Sequence, residues 1–348
     1  MPLSELVDDV WYRDTAACRV ARAVLSPLSV AYGAIMARRN AAFDRASIAP
    51  GPIPALSIGN LTVGGTGKTP VSAWFARRLI EAGAAPAIVM RGYGEDEILV
   101  HTLLNPAVPV FQSADRAEGV RAAARDGADI AILDDAFQHR AAARVADVVL
   151  VSADRWTGET RVLPAGPFRE PLSSLRRASL VLITVKAAEA SLVEETAATI
   201  RSVTDSAVVT VDLSPASFVA VASREHSAVV EWRGLRVLCV SGIGDPGAFH
   251  SQLERQGILV DRAVFKDHHA YDTKDVRRLA ARAVQCDAVV CTLKDAVKLG
   301  PLWPGSAVPL WYLSQSVVPR DGTDSLNAVV QMVLAARRAS PHSPDPSR

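Results

Sequence analysis

The run Ser57-Ile58-Gly59-Asn60-Leu61-Thr62-Val63-Gly64-Gly65-Thr66-Gly67-Lys68-Thr69-Pro70 constrains this chain more than any other stretch. Gly64, Gly65 and Gly67 reach backbone conformations closed to other residues, so successive N–H groups can turn inward at a helix N-terminus and face an anion. Lys68 then reaches the outer phosphates of ATP or GTP, and Thr69 offers a hydroxyl to Mg²⁺. The general phosphate-loop pattern asks for a glycine where this chain has Thr62, but the Gly-Lys-Thr end that does the chemistry is intact. Thr62, Val63, Gly64, Gly65, Thr66, Gly67, Lys68 and Thr69 are therefore the expected nucleotide cradle. The alternative is a glycine-rich turn with a coincidental Lys-Thr. The flanks weigh against it: residues 55–58 read as a buried strand, and Val71, Trp74, Phe75 and Leu79 recur at helical spacing. Pro70 falls in the first helical turn and Gly83 is placed to end the helix.

Downstream, short apolar runs at 87–90, 108–111, 130–133, 148–151, 180–185 and 207–211 alternate with helical patterns such as 114–125 and 192–203. That alternation predicts parallel strands joined by helical crossovers, with ligands at the carboxyl ends of the strands. A second series starts near 235, with strands at 235–240, 259–265, 288–291 and 308–313, helices at 248–255 and 274–284, and a closing helix at 324–338. The expected fold is α/β: a phosphate-loop NTPase-like parallel sheet flanked by helices over 46–213, a linker at 214–234 and a smaller α/β domain over 235–339. The Pro- and Ser-rich tail 340–348 reads as unstructured.

Lys and Arg total 38 against 37 for Asp and Glu, which argues against a general nucleic-acid coat. Cys18, Cys239, Cys286 and Cys291 lack paired metal-ligand spacing and read as small hydrophobes in a reducing compartment. No export signal opens the sequence, so the cytoplasm is the default. Within segment 1–45, Val24, Leu28, Ala31 and Ile35 fall on one helical face, with Arg19, Arg22, Arg38 and Arg39 supplying charge. Arg22 and Pro27 interrupt the apolar run, so an interfacial helix fits better than a spanning one. By periodicity alone, a helix packed on the protein body fits equally well.

Ile130-Ala131-Ile132-Leu133-Asp134-Asp135 has the form of a buried strand delivering carboxylates at its tip, where a phosphate-loop enzyme holds its metal acid. Arg91-Gly92-Tyr93-Gly94 reads as a flexible turn leading into Glu95-Asp96-Glu97, acids suited to accepting a hydroxyl proton or holding metal. The proline-rich loop 163–171 presents Arg169, which can bind phosphoryl oxygens bidentately. Asp267-His268-His269 follows a strand of the second unit, where an Asp beside a His can tune a base brought in by domain closure.

Taken together, these stretches resemble the tetraacyldisaccharide 4′-kinase family of Gram-negative bacteria. The likeness covers Gly59 through Pro70, Arg91-Gly92-Tyr93-Gly94, Asp134-Asp135-Ala136-Phe137-Gln138-His139, residues 163–171, Gly242-Ile243-Gly244-Asp245-Pro246, Asp267-His268-His269 and Lys294-Asp295-Ala296-Val297-Lys298-Leu299, in family order from about 25 to 313. It implies ATP-dependent phosphorylation of the 4′-hydroxyl of an acylated glucosamine disaccharide 1-phosphate at the cytoplasmic face of the inner membrane, with no obligate protein partner. It further implies that Lys68 contacts phosphates, that Thr69, Asp135, Glu97 and Asp134 organise Mg²⁺, and that Arg169 steadies the transferring group. Asp96 takes the place of the family's base, paired with His268, and the N-terminal helix becomes the lipid-facing element. Departures from the family pattern stand at Glu95, Ala136 and Leu293, and a segment before Glu95 is shorter. Two other readings stay open: a membrane-recruited ATPase switch without an acceptor, and an impaired glycolipid-binding homologue.

Overall fold

Two long strands that cross the whole molecule set the architecture. In the computed structural model, which describes residues 3–92 and 95–339, twelve strands form one sheet. Its first half holds β1 (Ala55–Asn60), β2 (Pro86–Met90), β3 (Val110–Gln112), β4 (Ile130–Asp134), β5 (Ala146–Ser152), β6 (Leu180–Val185) and the start of β7 (Ala207–Ala220). They lie parallel in the order β7-β6-β5-β1-β4-β2-β3. After the short β8 (His226–Ala228), which pairs with β7, the second half holds β9 (Arg236–Ser241), β10 (Leu259–Val264), β11 (Ala288–Cys291) and β12 (Leu310–Pro319). These are parallel in the order β10-β9-β11-β12.

β7 and β12 pair antiparallel along nearly their full length, from Trp311 opposite Ala220 to Pro319 opposite Val211, with a bulge at Ser314/Gln315. The first-half strands therefore run toward the second half, and the second-half strands run back toward the first. β6 ends beside Asp212 and β11 ends beside Tyr312, which faces Val219. The two sets of carboxyl ends thus face each other across about seven residues of β7, roughly 20 Å of strand. Ligand sites at carboxyl ends converge in one cleft.

The helices are α1 (Leu3–Tyr12), α2 (Ala16–Arg45), α3 (Lys68–Glu81), α4 (Glu95–Leu104), α5 (Arg116–Arg125), α6 (Ala190–Arg201), α7 (Pro246–Arg255), α8 (Thr273–Ala283), α9 (Leu293–Leu299) and α10 (Thr323–Ala339). They cover both sheet faces, as the strand patterns require. Ile130 and Ile132 pack with Phe75 and Leu79 of α3 and with Leu326 and Val333 of α10, while Ala131 and Leu133 pack with Val120 and Ala123 of α5 on the other side.

Two expectations change. Residues 214–234 are not a linker: they complete β7, form β8 and add a 3₁₀ turn, because pairing with the distant β12 and with β8 extends the strand through polar residues. The closing helix α10 packs on the first half, since β12 carries the chain back across the cleft; Arg337 meets Asp129 at 2.7 Å. The acid cluster, to which the sequence pattern assigns no element, opens helix α4. Tyr93, Gly94 and the tail 340–348 lie outside the described residues.

The N-terminal helix packs on the body through one face and leaves the other exposed. α2 turns its polar face inward: Arg22 is buried, Ser29 Oγ donates to Val162 O at 2.9 Å, and Tyr32 Oη donates to Arg169 O at 2.9 Å. Its apolar face points out, with Val20, Val24, Leu28, Val30 and Ile35 exposed by 59–73%. By length and composition alone this helix is also apolar enough to cross a membrane.

Candidate active site

The phosphate loop leaves the tip of β1 and is held from within. Asn60, fully buried, donates to Thr62 O at 2.8 Å and Thr66 Oγ1 at 2.9 Å, and Thr184 Oγ1 at the end of β6 donates to Thr66 O at 2.9 Å. Gly67 caps α3 with φ +84°, and a Cβ there would collide with Leu213, so the tight entry into the helix needs glycine. Gly65 has open space in front of it. The open N-terminus of α3 and the loop N–H groups face a cavity of about 770 Å³.

The charged groups meet at the tips of β1 and β4. Asp135 sits just past β4 at φ +49°, a left-handed conformation that Asp tolerates. Arg169 grips both its oxygens, at 2.8 and 3.2 Å, and also donates to Asn60 O at 3.0 Å and to Asn60 Oδ1. Lys68 Nζ stands 3.8 Å from Asp135. Burial would raise the Asp135 carboxyl, but Lys68 and Arg169 outweigh it and hold the group far below the usual carboxylate range. Burial draws the Lys68 ammonium down despite Asp135 beside it. Asp134 accepts from Ser72 Oγ at 2.9 Å and meets His101 Nε2 at 3.2 Å; burial raises its carboxyl, yet His101 and Lys68 keep it below the ordinary value.

The second half supplies the facing wall. Gly244, Asp267, His268, Leu293 and Lys294 line the cavity, and α4 joins them with Glu97, 3.6 Å from Lys294. Every residue of the expected nucleotide cradle lines this space, as do Asp134, Asp135, Glu97, Arg169 and His268. Asp96 does not: its carboxylate stands 3.9 Å from Lys298 on α9. His268, half exposed at φ +56°, has Asp267 3.9 Å away. The expected Asp96–His268 pair is thus not formed here, because Asp96 is already held across the cleft by Lys298 of the second half and His268 stands beside Asp267. Ala136 is buried in the core and Leu293 faces the cavity. The side chain of Glu95 is outside the described set.

Several contributors carried no role in the sequence reading. Lys186, directly after β6, donates to Gly65 O at 3.1 Å and stands 3.8 Å from Asp245. A cation at the carboxyl end of a parallel strand is a findable signal. Asn60 and Thr184 are ordinary polar residues in buried strands, visible as anchors only once the loop is folded. Asp295, wholly buried, accepts twice from Gly242 N at 3.1 Å, and from Tyr271 Oη at 2.8 Å and Thr292 Oγ1 at 2.7 Å, fixing the loop that faces the phosphate loop.

The arrangement can bind a nucleotide triphosphate and surround its outer phosphate with Lys68, Arg169 and Lys186. Gln138 Oε1 and Arg169 Nε are buried beneath the cavity wall without a hydrogen-bond partner. At the other end the cavity is bordered by Tyr32, Met36 and Arg39 of α2, next to that helix's outward apolar face.

The sequence pattern of the Tetraacyldisaccharide-1-P 4'-kinase family matches residues 21–107 and 94–335. A tetraacyldisaccharide 4'-kinase of Halorhodospira halophila is 34% identical over 90% of this chain and 93% of its own length. One from Anaeromyxobacter dehalogenans is 36% identical over 86% of this chain and 88% of its own. Among solved structures, LpxK from Aquifex aeolicus, crystallised in complex with ATP, superimposes with a TM-score of 0.70 at 25% identity, covering 91% of this chain and 99% of that one. The chain belongs to the tetraacyldisaccharide-1-P 4'-kinase family.

Proposed function

We propose that this protein transfers the γ-phosphoryl group of ATP to the 4′-hydroxyl of a tetraacylated glucosamine disaccharide 1-phosphate, the 4′-kinase step of lipid A biosynthesis. The observation that carries this reading is one cavity with the phosphate loop on one wall and α2 on another. A sugar bound between them meets the outer phosphate of ATP while its acyl chains extend along the exposed apolar face of α2. An ATPase switch has no use for that second wall.

Lys68 and Arg169 are the residues placed to neutralise charge on the transferring group, where preorganised cations act most strongly. Mg²⁺ fits the donor set: Thr69 at the head of α3, and Asp134 and Asp135 at the tip of β4, with Glu97 on the facing wall. Among the described residues no group of three or more His, Cys, Asp or Glu could hold a metal alone, so an ion held by these residues would also need ligands from the nucleotide or water. Such a metal would supply charge neutralisation at the phosphate oxygens.

Asp96 receives the acceptor proton in this account, and His268 steadies it from the opposite half. Closure of the cleft is the motion this needs, and catalytic hydrogen bonds are often long before substrate binds. The exposed apolar face of α2, with Arg38 exposed beyond it, seats the protein on the cytoplasmic face of the inner membrane without a protein partner. The test is ATP-dependent labelling of the lipid disaccharide 1-phosphate alongside ATP hydrolysis. Labelling that greatly exceeds hydrolysis supports the kinase, whereas hydrolysis alone supports the switch.

A further inference from the structure

Arg155 belongs to none of the motifs above, yet three distant parts of the chain meet on its guanidinium. It ends a 3₁₀ turn after β5 and its side chain is 14% exposed. From α1, Asp8 Oδ1 accepts from Nη2 at 3.1 Å and the Tyr12 ring lies against the guanidinium, 4.0 Å from Cζ to centroid. From the second half, Gly244 O accepts from Nη1. From the phosphate loop, Gly64 lies so close that a Cβ there would stand 3.4 Å from Nη1. Gly244 is in turn laid on the phosphate loop: a Cβ on it would stand 3.4 Å from Gly65 N and 3.5 Å from Gly64 Cα.

The chemistry of these contacts gives them a direction. A guanidinium is planar with donors in a fixed fork, so a ring on its face and a carboxylate on one edge fix where the other edge points. Here the ring and the carboxylate both come from α1, and the edge they aim carries the bond to Gly244. α1 is itself seated on the body: Trp11 Nε1 donates to Pro164 O at 2.9 Å, and buried Arg22 donates to Val10 O and Arg13 O at 2.7 and 2.9 Å. Freed of Tyr12 and Asp8, Arg155 regains rotamer freedom, and its hold on Gly244 costs that much more entropy.

We propose that Arg155 is a positioning residue that couples the seating of helix α1 to nucleotide binding, by holding the 242–245 loop over the phosphate loop only when α1 is docked. The inference rests on the nucleotide-site reading above. It makes the N-terminal segment a contributor to ATP affinity although α1 supplies no residue to the cavity. Linkage makes the effect reciprocal: ATP must tighten the docking of α1 by the factor by which α1 tightens ATP.

The test measures the Kd of a non-hydrolysable ATP analogue on the full chain, with hydrogen exchange of α1 amides in its presence and absence. Tyr12→Ala and Asp8→Asn lie on an outer helix away from the core, so they leave the fold intact, as a melting curve checks. Together they are expected to weaken ATP binding on the order of 5- to 50-fold. Arg155→Ala matches them, Arg155→Lys recovers only part, and Arg155→Ala combined with Tyr12→Ala is no worse than Arg155→Ala alone. In the unmodified chain the analogue slows exchange in α1. If Arg155→Ala weakens binding while the α1 variants bind normally, Arg155 acts on the nucleotide directly and the coupling is wrong. Normal binding by every variant overturns the coupling alone. Failure of the unmodified chain to bind the analogue overturns the nucleotide-site reading and this inference with it.

Discussion

Lys68, Arg169 and Asp135 form the charged centre of the site, and their substitution separates chemistry from folding. Lys68→Ala removes a cation that water cannot replace in a partly desolvated cavity, so transfer falls by about 10²-fold or more with the melting temperature nearly unchanged. Near-normal turnover in a folded variant contradicts the assignment. Asp96→Ala and His268→Ala each lower kcat by roughly 10²- to 10⁴-fold if they act on one proton, and the double variant is then little worse than the poorer single. Multiplicative losses mean that the cleft does not close enough to join them. In the second half, His250 is buried with Ser241 Oγ 3.2 Å from Nε2, and burial draws its imidazole below the usual value. The folded state thus favours neutral His250, whose stabilisation is complete above the unfolded value of about 6.5 and is lost as pH falls through the window below it. His250→Gln therefore flattens the drop in melting temperature between pH 7 and pH 5, and an unchanged drop contradicts a buried neutral histidine. Lys68, Thr69 and Asp135 were legible because a phosphate loop and a strand-tip acid are local patterns. His101 and Arg155 were not, since each matters only through partners far away in the sequence.

Among the elements, α2 and the 242–245 loop show how packing decides what periodicity leaves open. The apolar spacing of Val24, Leu28 and Ile35 fits a buried face or a lipid face equally; the contacts of Arg22, Ser29 and Tyr32 pack the opposite face on the body and leave the apolar one exposed. Val24→Glu with Leu28→Glu places charge on the outward face, where lipid contact is expected to be lost and the core untouched. Sedimentation with anionic liposomes should fall sharply while the melting temperature holds; unchanged sedimentation would show that this face does not meet the membrane. Asp295 fixes the loop that Arg155 reaches, with four donor contacts to one buried carboxylate. Asp295→Ala leaves buried donors unpaired and should cost about 2–4 kcal/mol by denaturant unfolding, against less than 1 kcal/mol if the loop were held elsewhere. Strand and helix positions followed closely from the alternating pattern. The linker expected at 214–234 failed because Ser214, Pro215 and Ser217 break the apolar run of β7, and only pairing with the distant β12 carries the strand through them.

At the scale of the molecule, the antiparallel pairing of β7 with β12 is the feature that sequence order conceals. It merges two parallel sets into one sheet, aims their carboxyl ends at each other and returns α10 to the first half. ATP and a sugar hydroxyl can then be held from opposite sides, and a single cleft shields the transfer from water. The central claim is that this cleft joins ATP to a glycolipid acceptor. Its most direct measurement follows γ-labelled ATP with the purified full chain and lipid disaccharide 1-phosphate in mixed micelles, locating the transferred phosphate by NMR and counting ADP released. One phosphate on the 4′-oxygen for each ADP, abolished by Lys68→Ala, is the predicted result. ADP released without phosphorylated lipid, or phosphate on another oxygen, would contradict it.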